Sequence, residues 1–193
     1  MKTGLRHWRH TALTTLVLFA CLKWSALCQA SIPGEYDVKL VYLYNFTKYL
    51  TWSHPFPEGD TDSPYIICVM GKLPSDVPLA DLKSKTTRNH PIDIRLLAKY
   101  TPTTNCHILF LTKSLGRKYI RDITSASTPD MLVVGETSDF ARDNGEIGFV
   151  LDEKNRVRLE INLQRVQQKD MSIRSQLLEI ARKVYRVPEE HRQ

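Results

Sequence analysis

Three short runs of apolar residues constrain the fold of this chain more than any other feature of its sequence. They occupy residues 66–70, 108–111 and 131–134, and each ends at a glycine or a polar cluster. Strands that are covered on both faces have continuous apolar sequences of this kind, whereas half-exposed strands alternate apolar and polar residues. The runs therefore predict the central strands of a parallel or mixed sheet that lies between helices.

The second half of the chain has a different pattern. Residues 147–151 are followed by a polar tetrapeptide and then by strict alternation of polar and apolar residues over positions 156–163. A tight polar turn between two such segments predicts an antiparallel hairpin with one half-exposed face. Residues 172–186 have apolar side chains at helical spacing and basic residues near their end, which predicts a closing helix.

Helical spacing also predicts the elements that flank the sheet. Residues 35–52 contain neither Pro nor Gly and predict an opening helix; residues 79–85 form a short amphipathic stretch, and a further helix is expected near residues 115–125. Residues 92–97 predict one more strand. Together these elements predict an α/β fold: a single domain with a mixed, mostly parallel sheet flanked by helices, and a C-terminal β-hairpin plus helix.

The first thirty residues have the layout of a secretory signal. Basic residues precede twelve uncharged ones, and short side chains follow as far as Ala30. Twelve helical residues span about 18 Å, well short of the roughly 30 Å hydrocarbon core of a membrane. We therefore predict a signal peptide over residues 1–30, cleavage between Ala30 and Ser31, and an exported domain over residues 31–193. An uncleaved anchor is the alternative.

Most of the excess positive charge lies in this first segment. The chain has 27 Lys and Arg against 21 Asp and Glu, a formal net charge of +6, but four of the bases precede the first acidic residue, Glu35. The remaining domain is close to neutral, whereas a nucleic-acid-binding domain carries a basic patch or stripe. We therefore expect no nucleic-acid partner.

Motifs that position catalytic loops or metal ligands are absent from the sequence. It contains no G-x-S-x-G, no P-loop, no H-E-x-x-H and no C-x-x-C, and no two histidines of the predicted exported domain stand three or four residues apart. His107 follows Cys106, but successive side chains of a strand point to opposite faces, which disfavours a nucleophile and base pair. We expect no catalytic residue, no metal and no cofactor.

Cys68 and Cys106 are the only cysteines of the predicted exported domain. Two cysteines in an oxidising compartment tend to pair. Closure of the loop between them would stabilise the fold by about 4 kcal/mol if the bond is unstrained. The bond is then either a structural staple or a redox-sensitive latch.

Several segments together resemble the YfiR family of exported proteins. They are residues 35–52, 66–71, 106–110, 132–135, 158–163 and 173–178, with Phe140 and Gly145 among them. The matches follow one another in order through almost the whole exported domain, so the set is specific although each segment is short. The resemblance implies a periplasmic α/β domain that is often dimeric.

The resemblance also implies a function. The best-understood members of the family hold an inner-membrane diguanylate cyclase inactive through its periplasmic domain, and release raises cyclic di-GMP and promotes biofilm formation. The implied protein is a non-enzymatic regulator in the periplasm whose partner is the periplasmic domain of a membrane diguanylate cyclase or sensor protein, with a homodimer as a further expectation. The alternative is a periplasmic small-molecule-binding module that feeds a sensor kinase or transporter.

Polar residues among the apolar ones of the matched segments are the candidates for partner binding. Glu160 and Asn162 lie on the polar face of the last predicted strand, and Arg174 and Gln176 open the predicted final helix. A polar patch beside hydrophobic edges would have the layout of a protein interface. The alternative is that Asn162 and Gln176 satisfy backbone groups where strand meets helix.

Overall fold

Residues 34–53, 56, 60, 62–101 and 105–186 are described by the computed structural model. The predicted signal peptide and its cleavage position between Ala30 and Ser31 lie outside these residues. Within them, no helix combines the length and the apolar composition needed to cross a membrane.

A mixed sheet of eight strands forms the centre of the fold, and a two-stranded ladder joins β1 to β9 beside it. The strands are β1 (Leu50–Thr51), β2 (Tyr65–Met70), β3 (Thr86–Thr87), β4 (His90–Leu97), β5 (Ile108–Leu111), β6 (Leu132–Gly135), β7 (Ile147–Leu151), β8 (Val157–Asn162), β9 (Ser172–Ile173) and β10 (Lys183–Tyr185). The order in the large sheet is β10-β8-β7-β6-β5-β2-β4-β3. Five adjacent strands of this sheet are parallel, namely β7, β6, β5, β2 and β4, and β8 is antiparallel to β7. This architecture confirms the predicted α/β class and the predicted hairpin.

The helices pack on both sides of the sheet and are mostly short. They are α1 (Glu35–Tyr49), α2 (Leu79–Lys83), α3 (Arg117–Ser125), α4 (Phe140–Asp143), α5 (Leu163–Gln168) and α6 (Ser175–Glu179). At the start of α1, the Asp37 carboxylate accepts a hydrogen bond of 2.8 Å from the Gly34 backbone N–H. An acidic first turn also interacts favourably with the positive end of the helix dipole.

Successive side chains of the central strands enter two separate hydrophobic cores, because residues of a strand alternate between the faces of the sheet. Ile67 and Val69 of β2 face the core that α1 covers, whereas Cys68 and Met70 face the core under α3 and α4. Every residue of β2, β5 and β6 is buried. The continuous apolar runs therefore predicted these strands correctly.

The strand order reverses at β2. The next strands along the chain, β3 and β4, lie on one side of β2, whereas β5 lies on its other side. In open α/β sheets, the carboxyl ends of the strands at such a point border a crevice. Here the two loops are tied together, because the Lys72 backbone N–H donates to Ser114 Oγ at 2.7 Å. Gly71 has φ 102°, and a Cβ there would lie 2.1 Å from Thr112 Oγ1. The close approach of these loops requires glycine at this position.

A closing helix is present as predicted, but its predicted extent over residues 172–186 is wrong, because the helix occupies only Ser175–Glu179. Residues 172–186 form β9, the short helix α6 and β10 instead. Residues 172–173 pair with β1, and residues 183–185 pair with β8. Ile180, which helical spacing placed on the buried stripe, is 53% exposed. Sheet pairing with distant strands overrides the local helical spacing, and β8 is consequently not the last strand.

Candidate functional site

A polar cleft lies at the carboxyl ends of β6 and β7, where the first turns of α1 meet the edge of the sheet. Its volume is about 420 Å³. Residues of α1, of the loops after β5 and β6, and of β7 and β8 line it: Glu35, Lys39, Lys113, Glu136, Thr137, Ser138, Asp139, Phe149, Val150, Leu151 and Glu160. The cleft thus gathers charged residues that are far apart in the sequence.

A buried ion pair between Lys39 and Glu136 forms the floor of this cleft. Only 3% and 1% of the two side chains are exposed, and Lys39 also contacts the carboxylate of Glu35. Glu136 Oε1 accepts a hydrogen bond of 2.8 Å from the Tyr36 hydroxyl and one of 2.7 Å from the Lys113 backbone N–H. Hydrogen bonding of this kind is what a buried charge requires. The group therefore fastens the start of α1 to the loops after β5 and β6.

The electrostatics of the cleft shift the pKa values of Glu35 and Tyr36. Burial acts to raise the pKa of Glu35, but the neighbouring ammonium groups of Lys39 and Lys113 outweigh it and lower that pKa. Burial and the carboxylate of Glu136 raise the pKa of Tyr36 well above its usual range. At neutral pH Glu35 is ionised and the Tyr36 hydroxyl keeps its proton. The arrangement therefore suits noncovalent binding and the attachment of α1 to the neighbouring loops.

Glu160, one of the predicted partner-binding residues, lies on the wall of the same cleft. It is half-buried on β8 and accepts a hydrogen bond of 3.1 Å from the hydroxyl of Tyr185. Burial and this carboxylate raise the pKa of Tyr185, so the hydroxyl remains a donor. Leu151, which is 40% exposed, also lines the cleft. The lining of the cleft thus includes both a carboxylate and an exposed apolar side chain.

Asn162, the second predicted residue on β8, has a structural role. Only 8% of it is exposed. Its Oδ1 accepts a hydrogen bond of 3.0 Å from the Arg165 backbone N–H and caps α5, while its Nδ2 donates to the Ala141 carbonyl at 2.8 Å. This is the alternative that the sequence left open, an amide that satisfies backbone groups where a strand meets a helix.

Arg174 and Gln176 are exposed at the start of α6. The Arg174 backbone N–H donates to the Tyr49 carbonyl at 3.0 Å, which fixes this position beside the β1–β9 ladder. The two residues therefore belong to a different part of the surface from Glu160, which lines the cleft. Their role in partner binding stays a prediction.

The predicted disulfide between Cys68 and Cys106 is present. It joins β2 to the residues before β5, with a Cα–Cα distance of 5.8 Å. Cys68 is fully buried and Cys106 is 8% exposed, and both lie in the core under α3 and α4. The bond is separated from the cleft by the sheet, since Lys39 belongs to the helix on the opposite face.

Sequence reasoning did not find the Lys39 cluster. Lys39 lies on the same stripe of α1 as the buried residues Leu43 and Phe46. A lysine on an apolar stripe is the one sequence signal from which its buried position could have been inferred. Its partner Glu136 is 97 positions away and directly follows a buried strand. No periodicity connects two such positions. Across the described part of the chain, no three His, Cys, Asp or Glu residues are grouped so as to hold a metal ion.

Comparison with known proteins identifies the family. A family model described as YfiR/HmsC-like matches residues 36–182. The matched range includes all the strands from β1 to β9, the disulfide, and all of α1 and of the cleft lining except Glu35, and it exceeds half of the chain. A search of curated proteins gave no match. The extent of the family match shows that this chain belongs to the YfiR/HmsC-like family.

Proposed function

We propose that the domain is a non-enzymatic periplasmic regulator that represses a membrane diguanylate cyclase by binding the periplasmic part of that enzyme. The match over residues 36–182 carries the proposal, because the best-understood YfiR proteins act in this way. Repression would lower cyclic di-GMP and restrain biofilm formation. A related sensor protein as partner and a homodimeric state stay predictions of the same resemblance.

Features of the surface support protein binding. Large apolar side chains are exposed on several elements, among them Val41 on α1, Leu96 on β4 and Leu151 on β7. Exposed apolar residues beside polar ones are typical of interfaces with other proteins. Among the predicted residues, Glu160, which lines the same cleft as Leu151, is our first candidate for partner contact, and Arg174 with Gln176 is the second. Asn162 would act only through the fold.

The test is cellular cyclic di-GMP in a strain that carries the cognate cyclase. Deletion of the regulator should raise the nucleotide, and the wild-type gene should lower it again. Glu160→Lys should be exported and folded but should fail to repress, because it reverses the charge at the proposed contact. Asp130→Lys is the matched control, since Asp130 is an exposed acid in the loop before β6.

Two results would contradict the proposal. Cyclic di-GMP that is unchanged by deletion, under conditions where the cyclase is expressed, would reject repression. Glu160→Lys that represses as well as Asp130→Lys would reject Glu160 as the contact and leave Arg174 and Gln176 to be tested in the same way.

The polar cleft favours a second candidate function, a small-molecule-binding module that feeds a sensor kinase or transporter. Its volume of about 420 Å³ is in the range of small-ligand sites. Native mass spectrometry of protein isolated from its own cell would detect a retained ligand. A ligand whose binding is lost in Glu160→Lys and kept in Asp130→Lys would favour this candidate, and protein without added mass would count against it.

A further inference from the structure

The turn of the β7–β8 hairpin holds two arginine side chains in a fixed orientation. Asp152 Oδ1 accepts hydrogen bonds from the backbone N–H groups of Lys154 at 2.9 Å and Arg156 at 3.0 Å. Asp152 Oδ2 accepts from Nε of Arg156 at 2.8 Å and from Nε of Arg158 at 3.0 Å. The backbone N–H of Arg156, the Lys154 N–H and the two guanidinium groups hold the pKa of Asp152 far below its usual range.

A pocket of about 340 Å³ opens between this turn and the end of α6. We name it the arginine pocket, and it is lined by Asp152, Glu153, Lys154, Arg156, Arg158, Ile180 and Arg182. Ile180 is 53% exposed and presents an apolar surface beside the guanidinium groups. The pocket therefore combines positive charge with one apolar contact.

The arginine pocket keeps a surplus of positive charge, because Asp152 and Glu153 are the two acidic residues among four basic ones in its lining. Arg156 and Arg158 hydrogen-bond to Asp152 through Nε alone, so their terminal nitrogens remain available. The guanidinium of Arg182 also has no acceptor in the part of the chain that the structure describes; only its backbone N–H is bonded, to the Leu159 carbonyl at 2.7 Å. The pocket thus offers three guanidinium forks, two of them held in place.

We propose that the arginine pocket binds an acidic segment of a partner protein. The carboxylates of the segment pair with the terminal nitrogens of Arg158 and Arg182, and a neighbouring apolar side chain packs on Ile180. Guanidinium groups bind carboxylates in a bidentate geometry, and pre-oriented side chains lose less entropy on binding. Arginines that surround an apolar contact are typical of the residues that dominate protein interfaces. The identity of the partner as the regulated membrane protein rests on the proposed function.

The first experiment identifies what lies in the pocket. A photoreactive amino acid is introduced into the full-length chain by the substitution Ile180→p-benzoylphenylalanine. Irradiation of intact cells then links residue 180 covalently to the molecule that lies against it. We expect attachment to a peptide in which Asp or Glu residues adjoin the attachment point. The control is Tyr119→p-benzoylphenylalanine on α3, since Tyr119 is 37% exposed on the other side of the sheet. Attachment to a peptide without acidic residues, attachment to phospholipid, or a yield no higher than the control overturns the proposal.

The second experiment tests the charge. Arg182→Glu leaves every hydrogen bond of Asp152 intact and should lower the yield of the attached acidic peptide about tenfold or more. Arg121→Glu, an equal charge change at an exposed position of α3, should leave the yield unchanged. Replacement of the identified acidic residue of the partner by Arg should restore attachment to the Arg182→Glu protein. An unchanged yield in Arg182→Glu, or no restoration, overturns the pairing.

Cyclic di-GMP measured in the same strains separates this inference from the proposed function. If deletion leaves the nucleotide unchanged but an acidic peptide of another protein is attached at residue 180, the arginine pocket stands and cyclase repression fails. If deletion raises the nucleotide but the Arg182→Glu protein gives the same yield of attached peptide as the protein without this substitution, repression stands and the arginine pocket fails.

Discussion

Lys39 and Glu136 form an ion pair that joins α1 to the loop after β6, with 3% and 1% of their side chains exposed to solvent. The desolvation of two charges is costly, and their attraction offsets it only while both partners are present. This relationship makes the start of α1 dependent on a carboxylate from the loop after β6, and it places a charged contact at the floor of the cleft.

The first prediction is that Lys39→Met destabilises the domain by about 3 kcal/mol, because it leaves the buried carboxylate of Glu136 without its cation. The free energy of unfolding in urea at neutral pH measures this effect. The double variant Lys39→Met/Glu136→Gln should lose less than the sum of the two single variants, since the second change removes the uncompensated charge.

Lys118→Met provides the control, because Lys118 is exposed on α3. It should change the free energy of unfolding by less than about 0.5 kcal/mol. If Lys39→Met behaves like Lys118→Met, the ion pair contributes nothing measurable to the fold.

The sheet was predictable because the residues of β2, β5 and β6 carry their own signal. A strand buried on both faces needs an unbroken apolar run, and each run has that form whatever lies next to it. The β7–β8 hairpin was predictable for a similar reason, since its alternation and its polar turn are both local. The part of the fold that depends on such local patterns was therefore accessible from the sequence.

The closing segment and the polar cleft were not accessible in the same way. The side chains of residues 172–186 follow helical spacing, but pairing of Ser172–Ile173 with β1 and of Lys183–Tyr185 with β8 decides their structure. The cleft likewise depends on contacts between α1 and a loop about a hundred positions later. Of the predicted partner-binding residues, only Glu160 lines this cleft. Long-range pairing of this kind leaves no periodic signal in the sequence.

The second prediction concerns the disulfide. The double variant Cys68→Ala/Cys106→Ala should lose about 2 to 5 kcal/mol of unfolding free energy, because the bond restricts the unfolded chain. Chemical denaturation of the oxidised protein and of the variant measures the difference. Alkylation of the unreduced mature protein should label no thiol. Two labelled thiols, or an unchanged denaturation midpoint, would show that the bond is absent or without consequence in solution.

The third prediction is a pH dependence that arises from Glu146. Its Oε2 accepts the Val133 backbone N–H at 2.7 Å, and its Oε1 lies 3.2 Å from Nζ of Lys169. Burial raises the pKa of Glu146 despite the attraction of Lys169. The folded state then binds the proton more tightly than the unfolded state. The stabilisation from this proton is fully present at pH values below the pKa of Glu146 in the unfolded state. It is lost as the pH rises through the pKa of Glu146 in the folded state.

Wild-type protein should therefore lose stability relative to Glu146→Gln as the pH rises from about 4 to about 8. Urea denaturation of both proteins at several pH values measures the difference. Glu179→Gln should run parallel to the wild type, since Glu179 is exposed on α6. A constant difference between wild type and Glu146→Gln across this range would mean that the folded and unfolded pKa values of Glu146 are equal.

The last prediction separates structure from binding at Asn162. Its side chain caps α5 and donates to the Ala141 carbonyl, so Asn162→Ala removes two hydrogen bonds to the backbone. Loss of a helix cap costs about 1 kcal/mol, and a buried carbonyl left without a donor adds a similar amount. We expect Asn162→Ala to lower the free energy of unfolding by about 2 kcal/mol, as measured in urea. Gln176→Ala on the exposed start of α6 should be neutral. If Asn162→Ala is as stable as Gln176→Ala but fails to repress the cyclase, Asn162 acts in binding and its structural assignment is wrong.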